Sequence, residues 1–353
     1  MKHMNISTDF PGGNIKVLTI SGDYVRVECD LRDTEGDWFY WAFCVEGAGG
    51  RTLTFDFGKD RIGYFGPAVS HDLKVWNWAG EESVAKNRHS FTYTFTESDP
   101  VYFAHNMIYS PERFDEFLRA NNLKARTFAL TDKGNEVKAL EIGEGDKVIV
   151  LHSRHHCCES TGTYVLEGVL QHLLTALPKG YRVLAIPFMD IDGVINGDQG
   201  KNRRPHDHNR DYIDQPIYPS VRELMKYAAD NNVKYQFDFH SPYHIGGNDD
   251  KVFLVRNLLN EAGQDEFAAL FKEESEGLSF RYFADCDIMP NTSWNKLISP
   301  TSTKFFSNLP TTELSFTLET AYFGTKDNAV SQNNLLKLGN AFGRALCRYI
   351  ERH

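Results

Sequence analysis

From Tyr109 onward, short apolar runs alternate with helix-length amphipathic stretches, and this order restricts the chain more than any other feature. The run Val148-Ile149-Val150-Leu151 precedes a helical pattern from Gly162 to Leu177, a strand pattern at Tyr181 to Phe188 precedes a helix from Ser220 to Asn231, and another strand pattern follows at Tyr235 to Phe239. Continuous apolar strands separated by helices bury both faces of a sheet, so an α/β domain with a mixed, mostly parallel sheet flanked by helices is expected. Its start is marked at Tyr109-Ser110-Pro111-Glu112, where Ser followed by Pro and Glu opens a helix that carries Phe114, Phe117 and Leu118 at helical spacing.

The stretch before that point reads differently. Lys16 to Ile20, Tyr24 to Val27, Trp38 to Phe43 and Arg51 to Phe57 are short runs of period two, rich in aromatic and β-branched residues and separated by Gly and Asp clusters. That pattern predicts an all-β antiparallel sandwich. With 353 residues the chain is long for one compact domain, so two are expected, a sandwich over 1–108 and an α/β domain over 109–353.

Bulk properties narrow the partners. A formal net charge of −10 argues against a nucleic-acid or anionic-membrane surface, either of which needs clustered Lys and Arg. Met1 to Gly13 holds no apolar core of signal-peptide length, and no stretch approaches the roughly 18 apolar residues of a membrane span. The six cysteines are scattered apart from the adjacent Cys157 and Cys158, so no disulfide framework is visible, and a soluble cytoplasmic protein is the expectation.

Chemistry is concentrated at predicted strand ends, where an α/β sheet binds its ligands. Ser153-Arg154-His155-His156-Cys157-Cys158-Glu159 follows one apolar strand and precedes a helix. His156 and Glu159, three apart in a tight turn, can converge on one ion; alone, such a pair is a common coincidence. His240 ends another strand, in Gln236-Phe237-Asp238-Phe239-His240-Ser241, and offers either a third ligand or a plain strand cap. Glu319 ends the alternating run Leu314 to Thr320 and is either a base for water activation or a solvated terminus. Between them, Gly200 to Tyr212 is a polar loop dense in arginine, whose planar fork suits a carboxylate, although an ordinary charged surface loop has the same composition.

Taken in order, these segments resemble the M14 metallocarboxypeptidases, most closely the cytosolic carboxypeptidase branch. The family pattern runs Arg-x-His-Pro-Gly-Glu, Asn-Pro-Asp-Gly-Val, Asp-x-Asn-Arg, a strand-end His and Thr-Leu-Glu. This chain has Arg154 to Glu159, Asp190-Ile191-Asp192-Gly193-Val194, Asp207-His208-Asn209-Arg210, His240 and Thr317-Leu318-Glu319. Trp38-Phe39-Tyr40, Gly66-Pro67-Ala68, Trp76-Asn77-Trp78 and Val101-Tyr102-Phe103 resemble the landmarks of that branch's N-terminal β-sandwich.

The resemblance implies a peptidase acting on peptide or protein C-termini with one Zn2+ per chain. In it His156, Glu159 and His240 bind the metal and Glu319 activates water. Asn209 and Arg210 grip the terminal carboxylate, and Asp207 orients His156 from behind. An upstream arginine polarises the scissile carbonyl; Arg203 is the choice, with Arg204 its neighbour. The chain departs from the pattern at Cys157-Cys158, in place of Pro-Gly, and at Asp190-Ile191, in place of Asn-Pro. No tyrosine matches the family's substrate-capping one, Tyr322 lying too close to Glu319. Two other readings compete: a zinc amidase or deacylase acting on small acylated amino acids, and a metal-binding protein that has lost turnover.

Overall fold

In the computed structural model, which describes residues 4–353, the alternating pattern after Tyr109 folds as a seven-stranded mixed sheet. The strands lie in the order Arg126–Leu130, Glu136–Ile142, Tyr181–Ile186, Lys147–Ser153, Asn232–His240, Leu314–Thr320 and Val252–Val255. The four from Tyr181–Ile186 to Leu314–Thr320 are parallel, and the outer pairings are antiparallel. Parallel strands all finish at one edge. Ser153 therefore stands beside Phe239, and His240 beside Glu319, so segments far apart in sequence deliver their polar ends to one place.

The alternation within the central strands decides what each face holds. Phe237 and Phe239 pack with Phe267, Phe316 and Phe342, beneath the helices Glu261–Ser275 and Gln332–Arg352. Gln236, Asp238 and His240 point the other way, as do Ser315, Thr317 and Glu319 on the next strand. That second face is polar yet buried, and the short helix Ser302–Ser307 packs against it. A buried polar column is tolerated only if every group finds a partner, and here most do.

The helix Ser160–Ala176 starts directly after Glu159 and packs on Gln332–Arg352. Its first turn lies on the end of the Asn232–His240 strand, where a Cβ at Gly162 would stand 2.6 Å from the Phe239 carbonyl oxygen and 3.0 Å from the His240 nitrogen. Only glycine permits that approach, and the approach brings Glu159 to His240. The helix Pro111–Ala120 starts where the sequence indicates, with the Ser110 hydroxyl accepting a hydrogen bond from the Arg113 amide.

Ahead of this domain, a five-stranded and a four-stranded sheet close on a shared core of Val25, Val27, Phe43, Val45, Phe55, Phe91 and Phe103. Two features differ from the sequence expectation. Tyr24–Glu28 and Thr52–Asp56 pair in parallel, so this part is not wholly antiparallel. Only the end of the Trp38 to Phe43 run is strand, which begins at Ala42; Phe39 instead packs against Tyr322 and Phe323 of the α/β domain. Packing is also continuous across residue 109, because Tyr40, Trp76, Met107 and Ile108 belong to the same buried cluster as the seven-stranded sheet. Trp76 is buried, and Trp78 donates its indole N–H to the Val330 carbonyl at 2.8 Å, so core packing accounts for both. No helix of the described residues is long and apolar enough to cross a membrane.

Substituting Gly162→Ala is expected to force the first helical turn away from the strand and to cost about 1–3 kcal/mol or more, as overpacking of a close contact does. The shift would be read as a lower urea midpoint at unchanged slope.

Candidate metal centre and the cavity around it

Three of the expected site residues meet at the sheet edge. Glu159 bridges two imidazoles, with Oε1 2.9 Å from His156 Nδ1 and Oε2 2.7 Å from His240 Nδ1. These donor atoms all lie within 4.8 Å of one another. Two neutral imidazoles and a carboxylate form a donor set that zinc accepts, with one position left for water or substrate. Both rings are backed by carboxylates, His240 Nε2 by Asp238 at 2.8 Å and His156 Nε2 by Asp207 at 3.6 Å, which holds each Nδ1 toward the centre. Arg154, left-handed at φ 61°, braces the intervening turn by donating to the Cys157 carbonyl at 2.6 Å and the Ser160 hydroxyl at 2.9 Å.

Asp238 is a residue that sequence reasoning passed over. Its carboxylate takes hydrogen bonds from His152 Nδ1 at 3.0 Å, His155 Nδ1 at 3.1 Å and the Ser302 hydroxyl at 2.6 Å, besides its contact with His240. His152, His155 and Asp238 also have the spacing of a metal-capable trio. Their remaining nitrogens are already engaged, His152 by Gln236 and His155 by the Tyr212 hydroxyl, both at 2.8 Å. Burial, only partly offset by Asp238, lowers His155 to about 4, so the ring is neutral. The trio acts as a frame beneath the first centre. Alternation in Gln236-Phe237-Asp238-Phe239-His240 was the signal available for it.

Glu319 faces the centre and is 6% exposed. Its Oε2 has no hydrogen-bond partner among the described residues. Burial, reinforced by the nearby Glu159 carboxylate and opposed by His240 and Lys201, raises its pKa to about 7. An unpartnered, proton-hungry carboxylate beside a metal-capable trio is suited to taking a proton from water.

Two hollows that share His156, Arg210, Trp294 and Glu319 in their walls open from this point. A small one of about 100 Å³ is lined by Asn209, Arg210, Thr301, Thr303, Lys304 and Thr317 together with His156, His240 and Glu319. A larger one of about 600 Å³ runs past Trp38, Lys201, Tyr243 and Trp294. Arg210 borders both; its guanidinium donates to the Asn209 carbonyl at 3.0 Å and makes no ion pair among the described residues. Asn209 stands in the wall, its amide nitrogen 3.3 Å from His240 Nε2 and its oxygen accepting from the Ser302 amide at 2.9 Å.

Arg203, the arginine expected to polarise a carbonyl, borders the larger hollow. Arg203 directs Nε to Asp33, Nη1 to Asp190 and Nη2 to Asp198, so each nitrogen already serves a carboxylate. Arg204, at the surface, is paired bidentately with Glu35 at 2.9 and 2.8 Å. Both tie the loop to residues 33–35 of the N-terminal part. The cation that does reach the centre is Lys201, unremarked in the sequence, with Nζ 2.6 Å from Glu159 Oε1. Burial works against its charge, but the Glu159 carboxylate outweighs this and raises its pKa above the ordinary lysine value.

The two thiols turn away from the centre. Cys157 donates to the Asp198 carbonyl at 3.1 Å, and Cys158 lies 3.7 Å from the Tyr322 hydroxyl. Burial raises Cys158 to about 11 and pushes Cys157 up as well, which keeps both as thiols. Tyr322 is itself buried under this contact and borders neither hollow, whereas half-exposed Tyr243 borders the larger one.

Comparison with known proteins places this geometry among characterised folds. No family model matches the chain. Cytosolic carboxypeptidase 6 of Caenorhabditis elegans is 25% identical over 309 residues, which cover 74% of this chain and 64% of that protein. The chain thus spans less than two thirds of that relative's length. The crystal structure of a metallo-carboxypeptidase from Burkholderia cenocepacia superposes with a TM-score of 0.83 at 18% identity, covering 99% of this chain and 100% of that one. A metallo-carboxypeptidase from Pseudomonas aeruginosa in complex with (2-guanidinoethylmercapto)succinic acid gives 0.79 at 18% identity, covering 98% and 99%.

In calorimetric titration the chain is expected to bind one equivalent of Zn2+, and His240→Ala to abolish that binding. Asp207→Asn, which leaves the donors in place and removes the charge behind His156, should weaken it about 10–100-fold.

Proposed function

We propose that this M14 cytosolic carboxypeptidase-like protein is a zinc-dependent carboxypeptidase that removes C-terminal residues from peptides or proteins. The observation that carries the reading is Arg210, a cavity-lining guanidinium with no carboxylate partner, next to a metal-capable trio and a buried carboxylate with a free oxygen. A planar cation that makes no ion pair among the described residues supports recognition of an anionic terminus supplied by the substrate.

In this reading the terminal carboxylate docks on Arg210 beside Asn209, and the last side chain enters the small hollow. The upstream chain leaves through the larger one. His156, Glu159 and His240 would hold the zinc ion, which when bound would supply Lewis acidity toward water and the carbonyl. Glu319 takes the proton from the attacking water and hands it to the departing amine, a task favoured by its raised pKa. Asp207 and Asp238 fix the two histidines so that neither ring turns during turnover.

The 600 Å³ hollow favours an extended substrate over a small acylated amino acid and so supports peptidase over deacylase. Residues 1–108 are read as a β-sandwich accessory domain and 109–353 as the catalytic domain, with the first lending Trp38 to the cavity wall.

On a peptide library with mixed C-termini, followed by mass spectrometry, the zinc-loaded wild type is expected to shorten chains stepwise. Glu319→Gln should lose at least about 100-fold in kcat, in line with removal of a general base, while still binding zinc. Arg210→Ala should lower kcat/KM by a comparable factor. A library left intact by the wild type would exclude the peptidase reading for unmodified C-termini and bring the deacylase forward.

A further inference from the structure

The loop between the two halves of the site has been built to deliver one particular side chain. Gly200, at φ +75°, lies so close to the metal-binding turn that a Cβ there would stand 2.4 Å from the Cys157 nitrogen. No side chain can occupy position 200, and the next residue is the first that can project into the cavity. That residue is Lys201, 12% exposed at its side chain. Its ammonium lies 2.6 Å from Glu159 Oε1 and 3.4 Å from the Ser241 carbonyl oxygen. The rings of Trp38 and Phe39 close over it at 5.7 and 6.0 Å.

The loop is fixed on both sides of this lysine. The Gln199 amide exchanges two hydrogen bonds with the Tyr40 backbone, at 2.8 and 2.7 Å, and Asn202 donates to the Glu35 carbonyl at 2.6 Å. Among the cations bordering the larger hollow, Arg203 is spent on three carboxylates and Arg210 borders the small hollow as well. Lys201 borders only the larger one, where the chain upstream of a cleaved bond would run.

We propose that Lys201 is a catalytic residue of this enzyme: its ammonium donates a hydrogen bond to the scissile carbonyl oxygen and stabilises the negative charge that develops there, with Trp38, Phe39 and Gln199 holding it in position. The inference rests on the carboxypeptidase reading. As water adds to the carbonyl carbon, the carbonyl π pair moves onto oxygen, and the Lys201 N–H meets that charge without giving up its proton. When the pair returns, the C–N bond breaks and the amine leaves with the proton carried by Glu319. Lys201 begins and ends as an ammonium. A lysine head is a compact point charge on a flexible stem, so it can shift between Glu159 and a substrate oxygen.

The test compares zinc-loaded wild type, Lys201→Met and Lys201→Arg in three measurements. On a peptide that the wild type cleaves, Lys201→Met is expected to lose about 100–1,000-fold in kcat with KM little changed, the usual effect of removing an oxyanion donor. Its affinity for a phosphonate analogue of that peptide, a tetrahedral anion, should fall by a similar factor, while its affinity for the shortened peptide product is kept. Zinc affinity, read by chelator competition, should stay within about threefold of the wild type, and Lys201→Arg should recover part of kcat because it restores the charge. Full kcat in Lys201→Met, equal losses for phosphonate and product, or a kcat loss that tracks zinc occupancy would each overturn the proposal. A wild type that cleaves no peptide removes the carboxypeptidase reading and this inference with it, whereas cleavage by wild type and Lys201→Met alike removes this inference alone.

Discussion

The Asp238 carboxylate is the interaction on which the site depends. A bare carboxylate at this depth would cost several kcal/mol in lost hydration, and the chain meets that cost with three imidazoles and a hydroxyl drawn from three separate segments. His152 and His155 come from one strand end, His240 from the same strand as Asp238, and Ser302 from the short helix below. Satisfying this one charge therefore fixes where each segment lies relative to the others. The His240 ring inherits its orientation from it, because Nε2 is occupied and only Nδ1 faces the centre.

Charge compensation also explains the loop from Asp198 to Arg210. Arg203 gathers Asp33, Asp190 and Asp198, and its charge offsets the repulsion among carboxylates held so close together. The arginine is a strut that locks the loop onto the N-terminal part. Because the strut is rigid, the lysine two residues earlier can be placed with little freedom. The wall of the cavity is thus shared: the metal-capable trio and Glu319 come from the seven-stranded sheet and its flanks, and Trp38 comes from the first forty residues.

Much of this was legible in the sequence, for definite physical reasons. The strand ends at Ser153, His240 and Glu319 could be read because apolar runs stop abruptly at polar residues, and parallel strands bring such ends together. The helix at Pro111 could be read because Ser before Pro is a local signal, complete within four residues. Asp238 was hidden: a polar residue within an apolar strand declares only that it needs a partner, and His152 lies 86 positions away. The partners of Arg203 were hidden for a related reason. Its residue type fits a carbonyl as well as a carboxylate, and the three acids that claim it are brought together only by the fold. The run Trp38 to Phe43 alternates like a strand, yet its first aromatics are recruited by Tyr322 and Phe323, a tertiary demand with no local trace. Lys201 gave no sign because its placement follows from a close approach at Gly200.

The continuous packing through Tyr40, Trp76, Met107 and Ile108 also bears on how this molecule comes apart. Two domains joined by a linker melt separately, each losing its own core; here the N-terminal sheets keep a core of their own, and a second buried cluster runs across the join. Damage to that shared cluster would reach the sheet whose edge holds the histidines, weakening the site together with the join. The first hundred residues are, in that sense, less an appendage than a keystone.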